Sequence, residues 1–301
     1  MVSRDSRRPQ AMEIFVMSFA SKVVWITGAS SGIGEALANA FLAQGAEVIL
    51  SGRRADALQA VAAQAPERTL VLPFETTDYD RIPELVEQAW SWRGRIDVLI
   101  NNAGISQRSL ALDTSFEVYR QLIEVDYLAP LALTQALLPR MVEQGGGQLA
   151  IVSSVAGKVG TALRTGYCGA KHAVVGYFEA LRAEVEESYG IGVSIILPGS
   201  VRTSIALNAL EGTGAARGRS DTNIDNGIDP VDAAKTILDG LSARQHDIVV
   251  AEGMELGALQ LRTADPAKLF AITSKEGARL AKVRAELGAG ASVDPLAVNK
   301  S

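Results

Sequence analysis

The chain has 301 residues, 48% of them hydrophobic, with 29 basic and 34 acidic residues for a net charge of -5. That length is ample for one large core, and the slightly acidic balance lacks the basic stripe that engages nucleic acid. One cysteine, Cys168, excludes an intrachain disulfide framework and fits a reducing, cytoplasmic setting, while only two histidines, His172 and His246, speak against a dedicated zinc or haem site, so no metal is expected.

Residues 1–20 read as a leader without regular structure. Basic residues followed by the apolar patch 14–20 have the order of a signal peptide, but the patch is brief and Glu13 adjoins it. Met12 and Met17 are alternative starts. No run reaches the roughly 18 apolar residues of a membrane span, so no transmembrane segment is expected.

From Ser21 onward, apolar runs alternate with helical patterns. Strands are predicted at 22–26, 47–51, 69–73, 96–100, 148–153, 192–197 and 247–251. Most are continuous Val/Ile/Leu runs, the signature of strands buried on both faces of a parallel sheet. Helices are predicted at 32–44, 55–64, 79–93, 115–143, 165–189 and 230–242. This alternation implies an α/β, doubly wound, Rossmann-type domain of about seven strands over 21–253, with ligand at the carboxyl ends of the strands. Gly145–Gly147 is a turn before a strand. The stretch 202–228, rich in Gly, Ala, Asn and Ser, has no sheet pattern; a loop that long is usually functional or disordered, and its place just after a strand end suits a lid over substrate. Residues 254–301 form an extension with helical periodicity at 256–287.

The first predicted strand runs into Thr27-Gly28-Ala29-Ser30-Ser31-Gly32-Ile33-Gly34. Glycines there let the backbone approach a pyrophosphate, and the following helix offers free amides and the positive end of its dipole. The second strand ends in Ser51-Gly52-Arg53-Arg54. A carboxylate at this point reads a ribose 2′-hydroxyl; here two guanidinium groups suit a 2′-phosphate, which favours NADP(H). Tyr167 and Lys171 are four apart and share a helix face. A free tyrosine is a poor base at neutral pH. An ammonium beside it favours the phenolate, so the pair can exchange a proton with a carbinol oxygen. Ser154, at a strand end, can hydrogen-bond that oxygen as charge develops on it.

The spacing Gly-x-x-x-Gly-x-Gly resembles the short-chain dehydrogenase/reductase family. So do Asn101-Asn102-Ala103-Gly104, Ser153-Ser154, Tyr167-Cys168-Gly169-Ala170-Lys171, and Pro198-Gly199 followed by Val201 and Thr203, all in the family's order across about residues 20–251. The segment Ile105-Ser106-Gln107-Arg108-Ser109 looks closest to the dehydrogenase/reductase member 7 subgroup, whose animal members are membrane-associated. The resemblance implies a cofactor path along Gly28, Ser30, Ser31, Gly32, Ile33 and Gly34. It continues past Arg53, Arg54, Asn102, Ala103 and Gly104, and ends at Pro198, Gly199, Val201 and Thr203. It also places Lys171 on the nicotinamide ribose, beside Tyr167. Glu75-Thr76 stands where the family has Asp and an apolar residue against adenine. Asp126 stands where the family has a fourth catalytic residue, an asparagine holding a water that relays protons to the lysine. An ionised carboxylate accepts hydrogen bonds but cannot donate them, so the expected consequence is a water relay with altered pH dependence.

The substrate is expected to be a moderately apolar carbonyl or alcohol, because 202–228 shows no cluster of fixed charges calling for an anion, and Gln107 is expected to line its pocket. Family members pair the helices of 115–143 and 165–189 across an interface, which implies a homodimer or homotetramer. Two other readings compete with an oxidoreductase: an NADP-sensing or scaffold protein, and an epimerase or dehydratase on the same fold.

Overall fold

The computed structural model describes residues 18–288. Among these residues, seven parallel strands form one sheet in the order β3-β2-β1-β4-β5-β6-β7. The strands are β1 (Val23–Thr27), β2 (Glu47–Ser51), β3 (Thr69–Val71), β4 (Val98–Asn101), β5 (Gly147–Val152), β6 (Ile191–Pro198) and β7 (Asp247–Val250). Successive side chains of a strand point to opposite faces, and two cores follow. Val24, Ile26, Val48, Leu50, Ile100 and Val152 pack under α1 (Gly32–Ala43), α2 (Ala55–Ala62) and α8 (Pro230–Ser242). Trp25, Ile49, Leu99, Ile151 and Ile195 pack under α3 (Ile82–Arg93), α5 (Ala129–Gln144) and α6 (Thr165–Tyr189). Both faces are covered, which is why the strands read as continuous apolar runs.

The doubly wound expectation holds. Chain order reverses between β1 and β4, and that switch point opens a crevice at the carboxyl ends of the strands. Three expectations are refined. The single helix predicted over 115–143 is α4 (Phe116–Ile123) and α5 joined by a wide π-type turn at Glu124–Leu128 that carries Asp126. β3 is Thr69–Val71, shorter than the predicted 69–73, although the Leu72 and Phe74 amides still donate to the Leu50 and Gly52 carbonyls at 3.0 and 3.1 Å. The helical tail is two helices, α9 (Gly253–Ala264) and α10 (Pro266–Leu287), broken at a proline, with the Asp265 carboxylate accepting from the Lys268 amide at 3.0 Å.

The segment 202–228 is ordered. It contains the short α7 (Thr222–Asp225) and is tied back by bridges between Gln107 and Leu210 and between Val201 and Ile228. Among the described residues no helix is long and apolar enough to cross a membrane, and no three His, Cys, Asp or Glu side chains group as metal ligands. The leader over 1–17 and the end of the extension, 289–301, lie outside the described residues.

Candidate active site

β1 ends in the glycine turn, where Gly28 has φ +67 and a Cβ would lie 2.8 Å from Asn102 Nδ2 and 2.9 Å from Ala103 Cα. Only glycine lets the turns after β1 and β4 sit this close. They are laced together: Asn102 Nδ2 donates to the Thr27 carbonyl at 2.9 Å, and the amides of Asn102 and Ala103 donate to Thr27 Oγ1 at 3.0 and 3.1 Å. A cleft of about 920 Å³ opens above them. Gly28, Ser30, Ser31, Gly32 and Ile33 form one wall, where the first-turn amides of α1 lack intrahelical acceptors. Gly34 is not on that wall: its place is packing, since a Cβ there would lie 2.3 Å from the Gly28 carbonyl oxygen.

Arg53, Arg54, Glu75 and Thr76 line the cleft past the end of β2. Arg54 Nη2 donates to the Ser30 carbonyl at 3.0 Å and to Ser30 Oγ at 3.1 Å. Arg53 and Glu75 form an exposed pair at 3.7 Å. Two guanidiniums against one carboxylate leave this corner positive, and exposed pairing costs Arg53 little to give up.

Ser154, Tyr167 and Lys171 line the same cleft. The Ser154 hydroxyl accepts from the Ala156 amide at 3.1 Å and donates to the Pro198 carbonyl at 3.2 Å. Ser153 Oγ donates to the Lys171 carbonyl at 3.0 Å, tying the end of β5 to α6. Lys171 Nζ donates to the Val152 carbonyl at 3.1 Å and lies 5.6 Å from the centre of the Tyr167 ring. Tyr167 and Lys171 therefore share a face, as their spacing requires. Cys168 points elsewhere, with its thiol 3.7 Å from Thr161 Oγ1, and His172 is exposed, its Nδ1 2.8 Å from the Cys168 carbonyl oxygen.

Asp126 is fully buried and lies behind Gly104 rather than in the cleft. Its Oδ1 accepts from the Ile105 amide at 2.8 Å, and its Oδ2, 3.7 Å from Lys171 Nζ, has no hydrogen-bond partner. A Cβ on Gly104 would fall 3.1 Å from Asp126 Oδ1 and 3.3 Å from Lys171 Nζ, so glycine makes room for the pair. Burial raises the proton affinity of Asp126, and the Lys171 ammonium opposes that rise.

Two expectations about the substrate end are corrected. Gln107 does not line the pocket. It is fully buried, and its Oε1 accepts from the Gly166 amide at 2.8 Å and the Tyr167 amide at 3.4 Å. It thus caps α6, whose N-cap residue Arg164 makes no side-chain cap bond. Nothing local in the sequence joins positions 59 residues apart. The segment 202–228 also does bring fixed charge: its Asp221 meets Arg108 and Arg217, with Arg164 close by.

Pro198, Gly199, Val201 and Thr203 complete the cleft beside Ser154. A residue outside every motif, Glu255 of α9, accepts from the Ser200 amide at 2.8 Å and the Ser200 hydroxyl at 2.6 Å, fixing this turn.

Comparison with known proteins agrees with this architecture. The family described as short chain dehydrogenase matches residues 22–213. A Dehydrogenase/reductase SDR family member 7B of Danio rerio is 38% identical over 281 residues, covering 90% of this chain and 88% of that protein. A solved short-chain dehydrogenase from Streptomyces avermitilis superposes with TM-score 0.71 at 32% identity, covering 90% of this chain and 96% of the other. Two more share the fold at TM-score 0.71. One is from Burkholderia phymatum in complex with NAD (21% identical, 94% and 100% covered) and one from Burkholderia cenocepacia in complex with NADP (24% identical, 85% and 99% covered).

Proposed function

The chain belongs to the short chain dehydrogenase family and is an oxidoreductase, and from that premise we propose that it interconverts a carbonyl and an alcohol with NADP(H), using Tyr167 as acid and base. One observation carries the reading. Ser154, Tyr167 and Lys171 meet in a single cleft whose other end is the glycine turn flanked by Arg53 and Arg54.

The residues present suit a nicotinamide dinucleotide. The close turn at Gly28 and the open amides of α1 admit a pyrophosphate, and Ser30, Arg53 and Arg54 offer donors to a 2′-phosphate. Lys171 holds the nearer ribose. When bound, the nicotinamide supplies or accepts the hydride. The protein's own groups handle the oxygen. Ser154 turns its hydrogen from the Pro198 carbonyl toward the substrate oxygen and stabilises charge there. In reduction, Tyr167 Oη delivers a proton to that oxygen; in oxidation it takes the proton back. The Lys171 ammonium, 5.6 Å from the centre of the Tyr167 ring, keeps a positive charge beside the phenol in either direction. The segment 202–228 shields the reaction from water.

The test is NADPH oxidation over a panel of carbonyls, with Tyr167→Phe and the Arg53→Ala/Arg54→Ala double variant beside the wild type. Tyr167→Phe is expected to lower kcat by about 10²–10⁴-fold while NADPH still binds. The double variant is expected to lose its preference for NADPH over NADH. Tight NADPH binding without turnover of any carbonyl would support the scaffold reading, for which the replacement at Asp126 is the one favourable observation.

A further inference from the structure

We propose that the substrate carries an anionic oxygen group, a carboxylate or a phosphate, held in the cleft by Arg164 together with Arg108. This deepens the function proposed above and rests on carbonyl chemistry occurring beside Tyr167.

Three guanidiniums converge here on one carboxylate. Arg108 Nε donates to Asp221 Oδ2 at 2.6 Å, and Arg164 Nη2 lies 3.7 Å from that same oxygen. Arg217 takes the other oxygen, Oδ1. Arg108 spends another nitrogen on Ser106 Oγ at 2.7 Å and the Gln107 carbonyl at 2.8 Å. The local charge is three positive against one negative, in a place where the Arg108 side chain is 4% exposed and that of Arg217 fully buried.

Such an arrangement is costly unless an anion completes it, because like charges repel strongly away from water. The strain is visible. Burial and then the neighbouring charge of Arg164 pull the Arg108 guanidinium down to about 10. Arg217 leaves Nε and Nη2 buried without partners. Arg108 and Arg164 both line the cleft that holds Tyr167 and Ser154, whereas Arg217 stands behind as their electrostatic backing.

Within the trio, Arg164 is the group placed to recognise a ligand. Its side chain is 22% exposed, and its contact with Asp221 is too long for a hydrogen bond. A guanidinium in that state offers a paired set of N–H donors to a carboxylate or phosphate. Arg108 is already committed to Asp221, so its contribution is charge and alignment. The residue directly before Arg164, Leu163, has φ +67, an unusual conformation that sets the direction of the chain as it enters α6. Asp221 belongs to the segment 202–228, so a bound anion would meet the same charge cluster that keeps that segment in place.

The experiment measures kcat/KM with NADPH for two matched pairs of ketones: a keto acid against its methyl ester, and a keto phosphate against the dephosphorylated compound. The wild type is expected to favour the charged member of at least one pair by roughly tenfold or more, and the pair showing it tells carboxylate from phosphate. Arg164→Gln is expected to collapse that ratio toward one, and Arg164→Lys to restore part of it. Neutral members preferred by the wild type, or a ratio that Arg164→Gln leaves unmoved, would overturn the proposal. Binding provides a readout that does not depend on turnover. Acetate or inorganic phosphate is titrated into the NADPH complex while its melting temperature is followed. A rise that Arg164→Gln abolishes supports the anion subsite even if no ketone is reduced, an outcome that would defeat only the carbonyl chemistry. No rise with either anion, in a protein that turns over neutral ketones, would defeat the subsite alone.

Discussion

Asp126 puts a second ionisable group 3.7 Å from Lys171, in a pocket where burial disfavours charge. It does not reach the cleft, so it is a positioning residue that acts through Lys171. A carboxylate here partly cancels the field that the ammonium projects onto Tyr167, whereas an amide of the same shape would not. Asp126→Asn is therefore expected to move the pH–rate profile of alcohol oxidation to lower pH. A role in packing alone would change melting temperature and leave the profile where it was. An unmoved profile, measured on protein with normal NADPH binding, would sink the idea. The replacement itself was legible in the sequence, because it stands in a recognisable motif. The wide turn that carries it was not, since a five-residue π-type turn leaves the apolar pattern of 115–143 almost intact.

At the scale of elements, β1 and β4 are joined at their amino ends by Asp97. Its Oδ2 accepts from the Val23 amide at 2.9 Å, and its carboxylate pairs with Lys22 and Arg95. Burial pushes its proton affinity up, but Arg95, the Val23 amide and Lys22 together hold the carboxyl below the usual carboxylate range. A depressed folded-state value means that this stabilisation is present above the unfolded value near 4 and lost as pH falls through the lower folded one. Asp97→Asn is thus expected to cost about 1–3 kcal/mol at neutral pH, a gap that narrows below about pH 4. Urea titrations at several pH values check this, and a gap constant with pH would refute it. The strands themselves were readable because burial on both faces leaves continuous runs such as Val23–Thr27. What holds their ends was less so. The Gln107 cap of α6, the Asp97 clasp and the Asp221 cluster each join residues far apart in the chain, and no local pattern encodes such a meeting.

For the whole molecule, the consequential element is the extension α9–α10, which periodicity predicts as helical without saying where it packs. It touches three loops around the cleft. Leu269 packs on Val155 and Val159, just past Ser154. Leu280 and Val283 pack on Leu163, next to Arg164, and Arg284 pairs with Asp113 at 2.6 Å. Glu255 holds Ser200 through two hydrogen bonds, and a Cβ on Gly199 would fall 2.5 Å from the Glu255 carboxylate. The extension therefore shapes the cleft rather than trailing from it. Of these contacts only Glu255 bears directly on the turn after β6, where the cofactor is proposed to lie. Glu255→Ala frees that turn without touching Ser154, Tyr167 or Lys171, so the cost should fall on cofactor binding more than on the chemical step. The expected result is a rise in KM for NADPH of roughly tenfold with a smaller change in kcat, since a charge-assisted bond contributes about 1.5–3 kcal/mol and part of it survives through water. Glu255→Gln keeps one acceptor for the Ser200 amide and should recover part of the affinity. A fall in melting temperature with KM unchanged in both variants would mean that α9 anchors the fold but does not set the cofactor turn.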